Sequence, residues 1–449
     1  MKKNEIDMLN GSLWDKILIY AIPLAVTGIL QQLFNAADLA VVGRFRGPEA
    51  MAAVGSNAPV IGLLINMFIG ISLGTNVVLA NAIGAKDNLR VKHCVHSSIL
   101  LSVIGGIFVM IIGEAATNTI IHLMGVPEEC AKLAALYLRI YLMGMPVILL
   151  YNFEASIYRA IGDTKTPFWA LVISGVVNVV LNILLVCGAN MSVDGVAIAT
   201  VVSNVISSLY LLHGLVQTDS SVHVDFEQLK INKPVLIRIL RIGIPAGIQG
   251  MVFSISNLII QSSINSLGSK IMAASAAAMN LEIFSYFIVS SFGSTCTTFV
   301  GQNNGAKKYD RCKRSLLICL GLDYLFTIIC GIILLTYYKQ LLGIFCQDPE
   351  VIELGYIRIY WFFIAFFFSV LQECFAGYLR GFGISTAPAI ISLVGICGIR
   401  LIWIFVVFPL VPTFTTIMQV YPLSLAITAV GICLLAFMEM KRKSASAKL

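Results

Sequence analysis

Apolar segments long enough to cross a bilayer recur twelve times along this chain, at 15–43, 50–82, 93–113, 131–158, 167–188, 194–216, 235–265, 271–301, 314–338, 351–379, 388–410 and 415–438. Inside hydrocarbon, backbone N–H and C=O groups find no water, so segments of this length satisfy their own hydrogen bonds as helices. The fold class expected is an all-α integral membrane protein with twelve transmembrane helices. Composition agrees, with 58% hydrophobic and only 12% charged residues, where a soluble protein carries about 25% charged. The opening MKKNEIDMLNG has no small-residue cleavage site before a short apolar core, so the first segment is expected to stay in the mature chain. Eleven Cys lie scattered, mostly in apolar runs and without a C-x-x-C, and read as free buried thiols. His93 and His96 flank a basic loop with no further ligands nearby, which argues against a metal there.

Basic residues set the expected orientation. Of the 30 Lys and Arg, only Arg44, Arg46, Lys132, Lys270 and Lys339 fall on the side opposite the N-terminus, while Arg139, Arg358 and Arg400 fall inside spans. The remainder, from Lys2, Lys3 and Lys16 to Lys441, Arg442, Lys443 and Lys448, share the side of the termini, which the positive-inside rule assigns to the cytoplasm. The net charge of +7 is thus a topology signal and needs no nucleic acid to explain it. The polar loop 217–233 follows six spans and precedes six, and reads as a linker between an N-terminal lobe at 1–216 and a C-terminal lobe at 234–449. The halves repeat. Ile22-Pro23 returns as Ile244-Pro245, Gly84-Ala85-Lys86 as Gly305-Ala306-Lys307, Tyr137 to Tyr141 as Tyr356 to Tyr360, and Arg159 to Gly162 with Pro167 as Arg380 to Gly383 with Pro388. Six spans per repeat give both halves one membrane orientation, with a pseudo-two-fold axis along the membrane normal.

The first span carries what a plain anchor avoids. Pro23 removes a backbone donor and is expected to bend the helix. Thr27, Gln31, Asn35 and Asp38 are spaced to share one helix face, and a carboxylate at membrane depth is costly unless compensated. Further polar stripes run through Ser174, Asn178 and Asn182, through Thr200, Asn204 and Ser207, through Ser254, Asn257, Gln261 and Asn265, and through Ser275, Glu282, Tyr286 and Ser290. Each stripe alone reads more readily as glue between helices; together they suggest a polar cleft. Glu154 and Glu373 lie near span ends, where they can reach headgroups or an Arg, and Glu282 lies well inside its span. Arg139, Arg358 and Arg400 read as structural ion-pair partners. Catalytic patterns are missing: no phosphate loop ending in Lys-Ser or Lys-Thr, no H-E-x-x-H, no G-x-S-x-G. An enzyme is therefore not expected. A channel fits the duplicated halves less well than a carrier does.

The run YNFEASIYRAIGDTKTP from Tyr151 to Pro167 resembles the span 4 to span 5 motif of MATE transporters, the multidrug and toxic compound extrusion family. So do Pro23 with Asp38 fifteen residues on, Gly195 to Thr200, and the Val-Gly-Gln-x-x-Gly from Val300 to Gly305. The likeness spans the chain and is closest to the DinF-like branch. It implies two six-helix lobes and export of lipophilic, often cationic, drugs by H⁺ or Na⁺ antiport; the absence of organelle signals and eukaryote-style extensions points to a prokaryotic inner membrane. It also implies a cation or proton site at Asp38, Asn178 and Thr200, with Asn152 on the substrate cavity. Asn182 stands where many members of that branch have Asp, and Phe253 and Ser369 stand where another branch has acids. Ile260 occupies the place of Asp38 in the second half, so coupling is expected in the N-terminal lobe.

The functional expectation is a cation-coupled antiporter of small molecules, with Asp38, Asn178, Asn182 and Thr200 coupling, Pro23 bending, and Gln31, Asn35, Asn152, Glu154, Asn257, Glu282 and Tyr286 lining the cavity. An excess of intramembrane acids over arginines points to cationic cargo. The rival is a flippase for a lipid-linked precursor, which would line its cavity with several cations. The coupling ion is expected to be H⁺ rather than Na⁺, because only one full negative charge is available and dehydrated Na⁺ wants several hard oxygens. No other cofactor and no metal beyond a Na⁺ at Asp38 is expected, and the partners foreseen are substrates and membrane lipids around a monomer.

Overall fold

The computed structural model describes residues 4–446, so Lys2, Lys3 and Lys448 of the basic asymmetry lie outside the described residues. The described chain is helical: α1 Trp14–Arg46, α2 Pro48–Gly84, α3 Asn88–Leu123, α4 Glu128–Met143, α5 Met145–Ala160, α6 Lys165–Asn182 and α7 Val193–Val216 come first. After them come α8 Lys233–Asn265, α9 Ser269–Gly305, α10 Tyr309–Thr336, the short α11 Tyr338–Gly343, α12 Pro349–Gly381, α13 Thr386–Ser392, α14 Ile399–Ile402 and α15 Phe414–Ser446. Among the described residues eleven stretches are long and apolar enough to cross a membrane, and α4 with α5 makes a twelfth if the bent pair is one span. That pair, read as one segment at 131–158, bends by 50°. Gly144 sits at the break and Pro146 just beyond it, where a missing N–H interrupts the ladder. The equivalent α12 runs through without a break.

The duplication is visible in backbone detail. Lys86 and Lys307 both adopt left-handed φ, 56° and 58°, which few non-Gly residues do. Around them the same bonds recur: Lys86 N donates to Ile83 O at 3.0 Å and Lys307 N to Asn304 O at 3.0 Å. Gly162 and Gly383, at φ 91° and 83°, close the corresponding turns after α5 and α12. Wide π-helical turns also recur, at Ile183–Gly188 after α6 and at Leu393–Gly398 and Trp403–Val407 on either side of α14.

Two compact units form, and the loop 217–233 does not separate them. One unit gathers Val26–Gly243 with the few residues up to Ile6; the other gathers Asp7–Ala25 with the chain from Ile244 onward. The division thus passes through α1 just after Pro23 and through α8 just before Pro245. Loop 217–233 belongs to the first unit because its groups are satisfied there. Val222 and Val224 are buried, Val224 N donates to Leu215 O at 3.1 Å, and Asn232 N donates to Ser97 Oγ at 2.9 Å. His96 holds the loop too: its Nδ1–H donates to Gln228 O at 3.1 Å and its Nε2 accepts from Asp225 N at 3.4 Å.

The first unit has an apolar floor of Val42, Leu138, Tyr141, Leu142, Val186, Val193 and Val196, drawn from α1, α4, α7 and the turn after α6. The second packs Ile260, Ile264, Ile396, Ile417, Met418 and Tyr421 into its own core. There α9 and α12 approach closely: a Cβ on Gly377 would meet Gly293 O at 2.3 Å. Backbone contact of this kind is how helices associate where burial from water offers little drive.

A carboxylate site in the first unit

Asp38 lies in the C-terminal third of α1 with 7% of its surface exposed, one turn from the apolar floor at Val42. Helix α6 brings Asn178 and Asn182 one turn apart on the same face, and α7 brings Thr200. Asn182 Nδ2 donates to Asp38 Oδ1 at 2.5 Å and to Asn178 Oδ1 at 3.2 Å. Thr200 Oγ1 is shared, 3.3 Å from Asp38 Oδ2 and 3.0 Å from Val196 O. The four residues expected to couple therefore meet around one carboxylate. Among the described residues no Lys, Arg or His lies within 4.0 Å of it. The Oδ1 of Asn182 is buried without a hydrogen-bond partner. A carboxylate held by neutral donors alone owes its charge state to what it binds, because desolvating an unpaired ion costs of the order of several kcal/mol.

The residues expected on the substrate cavity divide. Gln31 and Asn35 are exposed on the α1 face, Tyr286 is 45% exposed, and Asn152 and Asn257 are half-buried. Asn152 Nδ2 donates to Ile148 O at 2.8 Å, Asn204 Nδ2 to Thr200 O and Ser254 Oγ to Gly250 O, so these polar groups serve their own helices. Glu154 is fully buried rather than on a cavity wall: Ser208 Oγ donates to its Oε2 at 2.9 Å, and Oε1 has no partner. Glu282 is likewise not a free cavity acid. Arg358 grips it from both ends, Nε to Oε1 at 2.7 Å and Nη2 to Oε2 at 2.9 Å, and donates through Nη1 to Ser275 Oγ at 2.6 Å. The fork geometry of guanidinium against carboxylate explains why the pair closes on itself.

Arg139 pairs with Glu114 at 3.7 Å, and Arg380 with Glu373 at 3.7 Å. Arg400, expected in an ion pair, has no carboxylate within 4.0 Å among the described residues. Asp323 was not singled out in the sequence. It is fully buried on α10, accepting from Thr327 Oγ1 at 3.3 Å and from Cys374 Sγ at 3.6 Å. Its signal was a lone acid inside the apolar run 314–338. All eleven cysteines are free, and no group of His, Cys, Asp or Glu among the described residues is arranged to hold a metal.

A duplicated helical membrane protein with a lone carboxylate among amides and hydroxyls has the build of a transporter made of parallel repeats. The MatE family model matches it twice, at residues 23–184 and 245–406, and the chain belongs to that family. It is 29% identical over 399 residues to the probable multidrug resistance protein YoeA of Bacillus subtilis, covering 87% of this chain and 86% of that one. To the probable multidrug resistance protein NorM of Thermotoga maritima it is 26% identical over 400 residues, covering 86% and 84%. Among solved structures, a MATE in complex with MaL6 superposes with a TM-score of 0.91 at 21% identity over 98% of both chains. An outward-facing multidrug resistance MATE transporter superposes at 0.89 and 22% identity over 98% of both chains.

Proposed function

We propose that this transporter is a proton-coupled antiporter that exports lipophilic small molecules across the cell membrane, with both termini in the cytoplasm. The observation that carries the reading is the single carboxylate of Asp38, held only by neutral groups of α6 and α7. A proton needs one carboxylate and no further ligands. When Asp38 is ionised, Oδ2 accepts from Thr200 and Oδ1 from Asn182. A proton placed on Oδ2 turns that acceptor into a donor, so the contact with Thr200 reverses: the hydroxyl keeps its own proton on Val196 O and accepts from Asp38. The tie between α1 and α7 thereby changes from charge-assisted to neutral and weakens. Pro23, in the same helix, leaves the carbonyl one turn before it without its usual amide, so α1 has a place to bend as the tie changes.

The names of the relatives support drugs or toxic compounds as cargo. Preference for cations rests on family resemblance alone, since the charge of Glu282 is taken up by Arg358. A lipid-precursor flippase is not favoured: of the three arginines inside spans, two are engaged with carboxylates. For the ion, one observation favours Na⁺ as a second reading. Turning the Asn182 amide over would bring its unpartnered Oδ1 toward Asp38 and add an oxygen to those of Asn178 and Thr200.

Dye efflux from everted vesicles decides between them, with a pH gradient and a Na⁺ gradient imposed separately. A pH gradient alone should drive export in the parent, and Asn182→Asp should add Na⁺ dependence. A parent that stays inert without Na⁺ under a steep pH gradient overturns the proton reading.

A further inference from the structure

The second unit buries a charge of opposite sign where the repeat places the counterpart of the Asp38 site. The two family matches begin at 23 and 245 and end at 184 and 406. On that offset α8 repeats α1, and α13 with α14 repeats α6. Asn257 then stands for Asn35, and Arg400 for Asn178. In α15, Tyr421 falls at the place of Thr200 when the turns at Pro167 and Pro388 are aligned. The first unit thus gathers a carboxylate from α1 with partners from α6 and α7. The second gathers a guanidinium from α14 with partners from α8 and α15.

Arg400 is 1% exposed. Its Nη1 donates to Asn257 Oδ1 at 2.8 Å and its Nε to Ser424 Oγ at 3.3 Å. The guanidinium carbon lies 5.2 Å from the ring centre of Phe253 and 4.6 Å from that of Tyr421. These partners hold the group in place, yet none carries a negative charge, and a guanidinium does not shed its proton. Arg358, one helix away, shows the usual solution: it has Glu282. Arginine has donors only, so Asn257 turns Oδ1 to Arg400 and its Nδ2–H₂ faces the other way. Asn257 and Phe253 are half-buried, which makes this amide edge the reachable side of the charge. Arg400 also sits between two π-helical stretches, Leu393–Gly398 and Trp403–Val407, and such widened turns recur at functional sites because they free local backbone groups.

We propose that Arg400, Asn257, Phe253 and Tyr421 form a binding site for the anionic group, a carboxylate or phosphate, of an organic molecule with a flat aromatic body. The anion rests against the Asn257 amide with the Arg400 charge behind it, and the aromatic body lies along Phe253. The inference rests on reading the protein as a carrier of small molecules and assigns that cargo a negative group.

The test uses two xanthene dyes of similar shape and opposite charge, fluorescein and tetramethylrhodamine methyl ester. Binding to the detergent-purified full-length protein is read by fluorescence polarisation at low ionic strength. Arg400→Gln should weaken fluorescein binding by about tenfold or more and leave the cationic dye unchanged, with Arg400→Lys retaining part of the affinity. Asn257→Leu should give the same selective loss, and it serves if Arg400→Gln does not fold. Fluorescein binding that is absent from the parent, or equal in parent and variants, overturns the proposal and leaves Arg400 a structural residue. No gradient is imposed, so a failure of proton-driven efflux and a failure of anion binding are separately visible.

Discussion

Asp38 and Glu282 are both buried membrane carboxylates, and their neighbours give them different parts to play. Asp38 meets amides and a hydroxyl; Glu282 meets a guanidinium that matches both its oxygens. Asp38→Asn keeps the shape of the site and removes its titration. It should reduce pH-driven dye efflux in everted vesicles to the level of vesicles lacking the protein; transport at the parent's rate would remove Asp38 from the coupling step. Removing Glu282 leaves Arg358 buried without its counter-charge, an error that costs about 3–5 kcal/mol, whereas removing both partners together costs less. Thermal unfolding in detergent should therefore rank Glu282→Leu as less stable than the double variant Glu282→Leu/Arg358→Leu. The opposite order would mean that the pair contributes net stability through its bonds.

Helices in this protein are positioned by small contacts as much as by apolar area. The α9–α12 crossing depends on Gly377, whose missing Cβ lets the backbone reach Gly293 O. Gly377→Val should force the helices apart and cost about 1–3 kcal/mol, read as a lowered unfolding midpoint. Loop 217–233 is held by the neutral imidazole of His96, which donates from one nitrogen and accepts at the other. His96→Ala loses both bonds, and tryptic cleavage at the exposed Lys230 should quicken relative to the parent. Unchanged cleavage would show that Val222 and Val224 suffice to dock the loop.

At the scale of the whole molecule, both repeats show the same turns, and the divisions at Val26 and Ile244 fall within helices that carry a proline nearby. The basic asymmetry assigns the loop 217–233 to the cytoplasm. Ser221 is exposed, so Ser221→Cys in a cysteine-free background should resist an impermeant thiol reagent in intact cells and react after permeabilisation. Labelling of intact cells would invert the orientation.

The twelve apolar runs, the duplication and the meeting of Asp38 with Asn178, Asn182 and Thr200 were legible in the sequence. Spacing within a helix places side chains on a face, and the family motif names the faces that converge. Residue spacing carries no information on which buried charge finds a partner across helices. Spacing puts Glu282 on the cavity and Arg400 in an ion pair, whereas the tertiary structure pairs Glu282 and leaves Arg400 without an acid. Arg358 reaches Glu282 from α12, while among the described residues no carboxylate lies within 4.0 Å of Arg400. The bend between α4 and α5 and the division through α1 and α8 were likewise decided by packing, because a proline in a span permits a break without requiring one.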